Sequence, residues 1–154
     1  MEVAIATGIT TFCLLTLFGL LPIALNQSHY ASAQTEAANF AAALNDDIRA
    51  TPLKRAPVSP LYGFTIPVAG SPDVTSQSIY WSNAGAFTKV NDRPVGDEVF
   101  RATLWFLVPE QTGMRNATMV RILITWPAEA DGNPNEIPSH FSGSFEVLTA
   151  LDRN

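Results

Sequence analysis

The sequence predicts an α+β fold, in which one long N-terminal helix, transmembrane and then amphipathic, packs on a small, mostly antiparallel β-sheet head. Three observations predict it. Residues 3–25 carry no formal charge, an apolar repeat of helical period continues from there to residue 48, and beyond residue 75 the repeat shortens to two. These features divide the 154 residues into a membrane half-helix (1–25), an amphipathic half-helix (26–51), a Pro-rich connection (52–74) and a β head (75–154).

The front segment is the most informative. The chain has nine basic and 14 acidic residues, and of these only Glu2 and Glu36 precede Asp46. At ~1.5 Å per residue, a helix over 3–25 reaches about 34 Å, enough to cross a bilayer core. Pro22 removes a backbone donor and is expected to bend or loosen the helix, which membrane helices tolerate. The lone Cys13 lies inside this run, so it has no intramolecular disulfide partner and is expected to act as a small packing side chain.

After Leu25 the chain turns polar but keeps its helical period. Tyr30, Ala33, Ala37, Phe40, Leu44 and Ile48 recur at spacings of three and four, among alanines that favour helix. Pro52 supplies the stop. Three readings of the front segment follow. It is a plain signal anchor, a removable export signal cut after Ala31-Ser32-Ala33 and before Gln34, or a helix in which Glu2 has a task. An n-region with Glu2 and no Lys or Arg argues against removal. A carboxylate beside a membrane-grade helix is costly and marks a functional position, although a negative charge also suits any helix N-terminus.

The stretch "EVAIATGITTFCLLTLFGLLPIALN" resembles the N-terminal segment of type IV pilins and pseudopilins. Glu2 matches the family's glutamate, Met1 the apolar residue before it, and residues 3–25 the apolar half-helix. At the other end, "VRILITWPAEADGNPNEIPSHFSGSFEVLTALDRN" is similar to the C-terminus of the Verru_Chthon cassette protein B family of pilin-like proteins. The resemblance implies a pilin-like subunit of a type IV pilus or a type II secretion-like pseudopilus. Prepilin-type processing and N-terminal methylation would come with it, with translation starting upstream of Met1 to supply a basic leader, unless this copy has lost its processing site. It also implies single-pass residence in the inner membrane with the head outside the cytoplasm. The implied partners are other pilin-like subunits, in a homo- or hetero-oligomeric filament, and the inner-membrane assembly platform. Glu2 would neutralise a neighbour's N-terminal amine during assembly. Ala4, Ala6, Gly8 and Gly19, with Pro22 nearby, would let helices approach closely.

In the head, residues 51–73 hold five prolines and read as an extended connection with Lys54 and Arg55 solvated. "QSIYWS" and "AFTKV" read as a hairpin turning at residues 83–85. "DEVFRATLWFLV", "ATMVRILITW" and "SFEVLTAL" supply the remaining strands of a four- or five-stranded sheet. Trp81, Trp105 and Trp126 are expected in the core or on a sheet face.

The sequence gives little else a chemical role. No basic run exists, which sets nucleic acid aside as a partner. Asp131, Asn133 and Asn135 have the alternating spacing of a calcium loop, but Glu136 and Ser142 stand where Gly and Glu are required, so a turn-rich loop is expected. Asn26 and Asn116 open three-residue glycosylation patterns, which are weak signals. His29 and His140 lack a nucleophile or metal-spaced partner, and Asp92, Asp97 and Glu98 read as a solvated turn. No catalytic residue, metal or cofactor is expected, and the alternative to a filament subunit is a membrane-anchored or exported periplasmic β-domain that binds a ligand without polymerising.

Overall fold

A single helix, α1, runs Glu2–Ala50 in the computed structural model, which describes residues 1–51, 58–67, 76–82, 84–94, 96–107 and 117–151. It continues through Pro22. At its end the Thr51 amide donates to the Ile48 carbonyl at 3.3 Å, and the Thr51 hydroxyl donates to the Asp47 carbonyl at 2.8 Å. Pro52 follows directly, and proline disfavours helix in the residue before it. The chain divides into two compact units, Met1–Ala33 and Gln34–Asn154.

Within the second unit the helix buries Ala37, Ala41, Leu44 and Ile48, with Phe40 half-buried beside them. These positions follow the expected stripe. Of its upper members, Tyr30 is 50% exposed and Ala33 half-buried.

The head is a four-stranded antiparallel meander in the order β1 (Gln77–Ser82), β2 (Glu98–Leu107), β3 (Thr118–Trp126), β4 (Gly143–Leu151). Its register aligns Ile79, Ala102, Ile124 and Phe145 in one lateral row, and Gln77, Leu104, Ile122 and Val147 in the next. This face meets the helix, since the Phe40 ring stacks on Trp81 and the Arg49 guanidinium donates to the Thr149 hydroxyl at 3.1 Å. Ile79, Ala102, Leu104, Ile122 and Ile124 are fully buried, and each large apolar side chain so removed from water contributes about 1.5–3 kcal/mol. Between Trp81 and Ser82 the register slips, leaving Val99 as the extra residue of a bulge.

Two expectations need correction. Residues 86–90 do not form a strand; Phe87 makes one isolated bridge to Trp81. The segment instead caps the outer edge of β1: Ala86 O accepts from Ser82 N–H, the Thr88 amide donates to Tyr80 O, and the Asn91 amide donates to Ser78 O at 2.7 Å. Asn91 also accepts from the Ser78 amide through its side chain at 2.8 Å, from a backbone with φ of 60°, a conformation asparagine tolerates better than most residues. The chain does reverse where the hairpin is expected, with the Gly85 amide donating to Ser82 O at 3.0 Å, but the returning segment forms no regular ladder.

The second correction concerns the Pro-rich connection. Residues 58–67 form a tight reversal, with Ser59 N–H donating to Phe64 O at 2.8 Å and Gly63 N–H to Ser59 O at 3.1 Å. Tyr62, Phe64 and Ile66 are buried in the core. Prolines masked an apolar pattern that was present in the sequence. Lys54, Arg55, Asn83, Val108 and Asn116 lie outside the described residues.

Candidate functional site

The first unit presents its apolar side chains outward. Val3, Ile5, Ile9, Phe12, Leu15, Leu17 and Phe18 are each more than 60% exposed, an arrangement that would be ruinous in water over this length. The helix is long and apolar enough to span a membrane. Its polar side chains are dealt with locally. The hydroxyls of Thr7, Thr10 and Thr11 donate to the carbonyls of Val3, Ala6 and Thr7, four residues back, and the Thr16 hydroxyl donates to Cys13 O. Those four hydroxyls are satisfied within the helix, as an apolar solvent demands. Glu2 stands in the first turn as the one formal side-chain charge before Glu36, and it is exposed.

The small residues sort by helix face. At about 100° per residue, Ala4, Gly8, Gly19 and Pro22 fall within roughly 60° of one another, and Leu15 lies on the same stripe. Ala6 lies on another side, one turn beyond Glu2. A Cβ added at Gly8 or Gly19 would meet nothing within 4 Å. The structure thus aligns four of the five packing candidates and separates Ala6 from them.

The head is a scaffold built around rings and the buried Asp47 carboxylate. Trp81 is 1% exposed and touches Phe40 and Tyr62; Trp126 meets Phe100 edge-on at 5.9 Å. Trp105 is half-buried on the outer sheet face, with the Arg121 guanidinium 5.1 Å above its ring. Arg121 also forms a two-point ion pair with Glu146, at 2.8 and 3.0 Å. Its hydrogen bond holds the Glu146 carboxyl below and the Arg121 guanidinium above their ordinary values. Asp47, on the buried helix face, accepts from the amides of Leu61 and Tyr62 at 3.0 and 3.2 Å and so fixes the 58–67 reversal to the helix. Nothing in a helical repeat signals that role, because Asp at the position of an apolar residue reads as an interruption.

The β3–β4 connection crosses the outer face. A 3₁₀ turn at Ala128–Asp131 opens it. The Asp131 carboxylate accepts from the amides of Ser139 and His140 at 3.0–3.2 Å, while the Asn133 amide donates to the Glu136 carboxylate at 2.7 Å. Of the three residues that suggested calcium ligands, the Asp131 and Asn133 side chains are thus engaged within the loop, and the Asn135 amide donates to Asn133 Oδ1 at 3.2 Å. Among the described residues no three His, Cys, Asp or Glu side chains are grouped to hold a metal ion. His140 is exposed, with its ring 2.9 Å from Ser139 Oγ and 3.5 Å from Asp131, and His29 is exposed on the helix.

Comparison of the chain with protein-family models, with curated proteins and with solved structures found no match.

Proposed function

We propose that this chain is a pilin-like structural subunit, held in the inner membrane by residues 1–25 and assembled through that same half-helix into a type IV pilus-type or type II secretion-like filament. One observation carries the reading. A single 49-residue helix has an entirely exposed apolar first half, while its buried positions all fall in the second half, against an antiparallel sheet. A simple anchor needs only to span the bilayer. A half-helix that must exchange lipid for neighbouring helices also needs small residues on one face, and Ala4, Gly8 and Gly19 supply them. In this role Glu2 pairs with the N-terminal amine of an adjacent subunit, an attraction that is strong where the dielectric is low. The head lies outside the cytoplasm.

The test is Glu2→Ala, expressed beside its partner genes. Loss of the chain from sheared filament fractions, with membrane levels unchanged, is expected; undiminished recovery contradicts the assembly role.

A second reading has one observation in its favour. The compact unit that contains the sheet begins at Gln34, directly after Ala31-Ser32-Ala33. Cleavage there would release an exported β-domain with every buried helix residue retained. A mature chain starting at Gln34 selects that reading.

A further inference from the structure

Among the described residues, Arg101 is the one charged residue of the head whose side chain is completely enclosed. It sits in mid-β2 on the outer face, beneath the β3–β4 connection. Its guanidinium donates to the carbonyl oxygens of Asp131 at 3.0 Å, Pro134 at 3.3 Å and Glu136, and to the Ser78 hydroxyl at 3.2 Å. Ser78 Oγ in turn bonds Pro134 O and Thr103 Oγ1, and the Tyr80 ring lies 5.8 Å from the guanidinium carbon.

The charge balance here is unusual. A buried arginine is ordinarily paired with a carboxylate. Here both nearby carboxylates are turned away, Asp131 to the amides of Ser139 and His140 and Glu136 to the Asn133 side chain. Only carbonyl and hydroxyl oxygens accept from the guanidinium, and its Nε–H has no partner. Burial pushes the group below its ordinary pKa, while Tyr80, Asp131 and Glu136 pull it back. Three main-chain carbonyls converging from one loop, with a hydroxyl beneath and acidic side chains at the periphery, is how a loop wraps a hard cation.

We propose that the carbonyls of Asp131, Pro134 and Glu136 with the Ser78 hydroxyl form a cation cage, filled from within by Arg101. This internal cation does for the β3–β4 loop what a bound metal would otherwise do. The loop is then held without any ion from solution. That explains why carbonyls separated by two and three residues all turn inward, and why side chains with a calcium-like spacing are free to brace the loop itself.

The test uses the full chain in detergent. The loop is probed by limited proteolysis with enzymes that cut after Glu136 or Phe141, and the fragments are mapped by mass. Wild-type protein is expected to resist cutting equally with and without a chelator. Arg101→Ala should be cut about tenfold faster, the change expected when several charge-assisted bonds are lost from a locally opening segment. Guanidinium chloride at low millimolar concentration should slow that cutting, whereas sodium chloride at the same concentration should not. Chelator sensitivity of the wild type, wild-type resistance of Arg101→Ala, or equal effects of the two salts would each overturn the proposal. If Arg101→Ala does not fold, Arg101→Gln keeps a stem and amide donors without the charge. Several-fold faster cutting of that variant supports the cage, and wild-type resistance overturns it.

Discussion

The Phe40 ring stacks on the Trp81 indole, with 4.9 Å between centroids and 16° between planes. Phe100 closes on Phe40 edge-on at 5.5 Å, and Tyr62 closes on Trp81 at 5.6 Å. The helix is joined to β1, β2 and the 58–67 reversal through this cluster. Stacked and edge-on pairs add about 0.5–1.5 kcal/mol beyond area burial.

Phe40→Ala should therefore destabilise the head by about 2–4 kcal/mol, below the full cost of a buried ring because Phe40 is only half-buried. Denaturant unfolding of the full chain in detergent, followed by tryptophan fluorescence, measures it. Asn39→Ala, on the exposed side of the helix, should stay within about 0.5 kcal/mol of wild type.

Asp47→Ala leaves the Leu61 and Tyr62 amides without their acceptor, at an expected cost of about 1–3 kcal/mol. The 58–67 reversal should loosen first, read as faster amide exchange at residues 61–64. Unchanged exchange there would mean that the reversal holds itself.

Alkaline pH should destabilise the head. Burial, then Asp47, raises the Tyr62 phenol above the ordinary 10.0, and burial with Asp131, opposed by Arg101, raises Tyr80. Both phenols bind protons more tightly folded than unfolded. Their contribution is thus complete below the ordinary tyrosine value and is lost as pH rises through the raised folded values. Phenolate absorbance and loss of tryptophan fluorescence structure should rise together, and Tyr62→Phe should shift the transition to higher pH.

Gly143→Ala should disrupt the β3–β4 pairing. Gly143 faces Trp126 across the ladder, and an added Cβ would lie 2.3 Å from two ring carbons of the indole. Trp126 is 7% exposed and packs against Phe100, so it has little room to yield. Overpacking of this kind costs about 1–3 kcal/mol. Thermal unfolding checks the value, and a wild-type midpoint would show that the indole has somewhere to go.

Period and composition made most of the architecture readable in advance. The helix from Glu2 to its stop before Pro52, and strands β1 to β4, follow from apolar repeats that packing then reinforces. What could not be read depends on contacts between distant residues. Asp47 looks like a break in a helical stripe until the amides of Leu61 and Tyr62 close on it. Arg101 alternates correctly toward the outer face, but only the returning β3–β4 loop turns that position into an enclosed one. The 86–90 segment has strand composition, yet it meets β1 through a few separate hydrogen bonds and one isolated bridge rather than a regular ladder. At the candidate site, the apolar half-helix and Glu2 were evident at once. The separation of Ala6 from the Ala4–Gly8–Gly19 stripe required helix geometry, not composition.

In the proposed role the apolar half-helix stays on the head and carries it into a filament. Intact-mass and N-terminal peptide analysis of the chain recovered from sheared filaments tests it most directly. One continuous chain is expected in that fraction, with Glu2 present and peptides spanning Ala33–Gln34. A chain that begins at Gln34, or one found only outside the filament fraction, would contradict it.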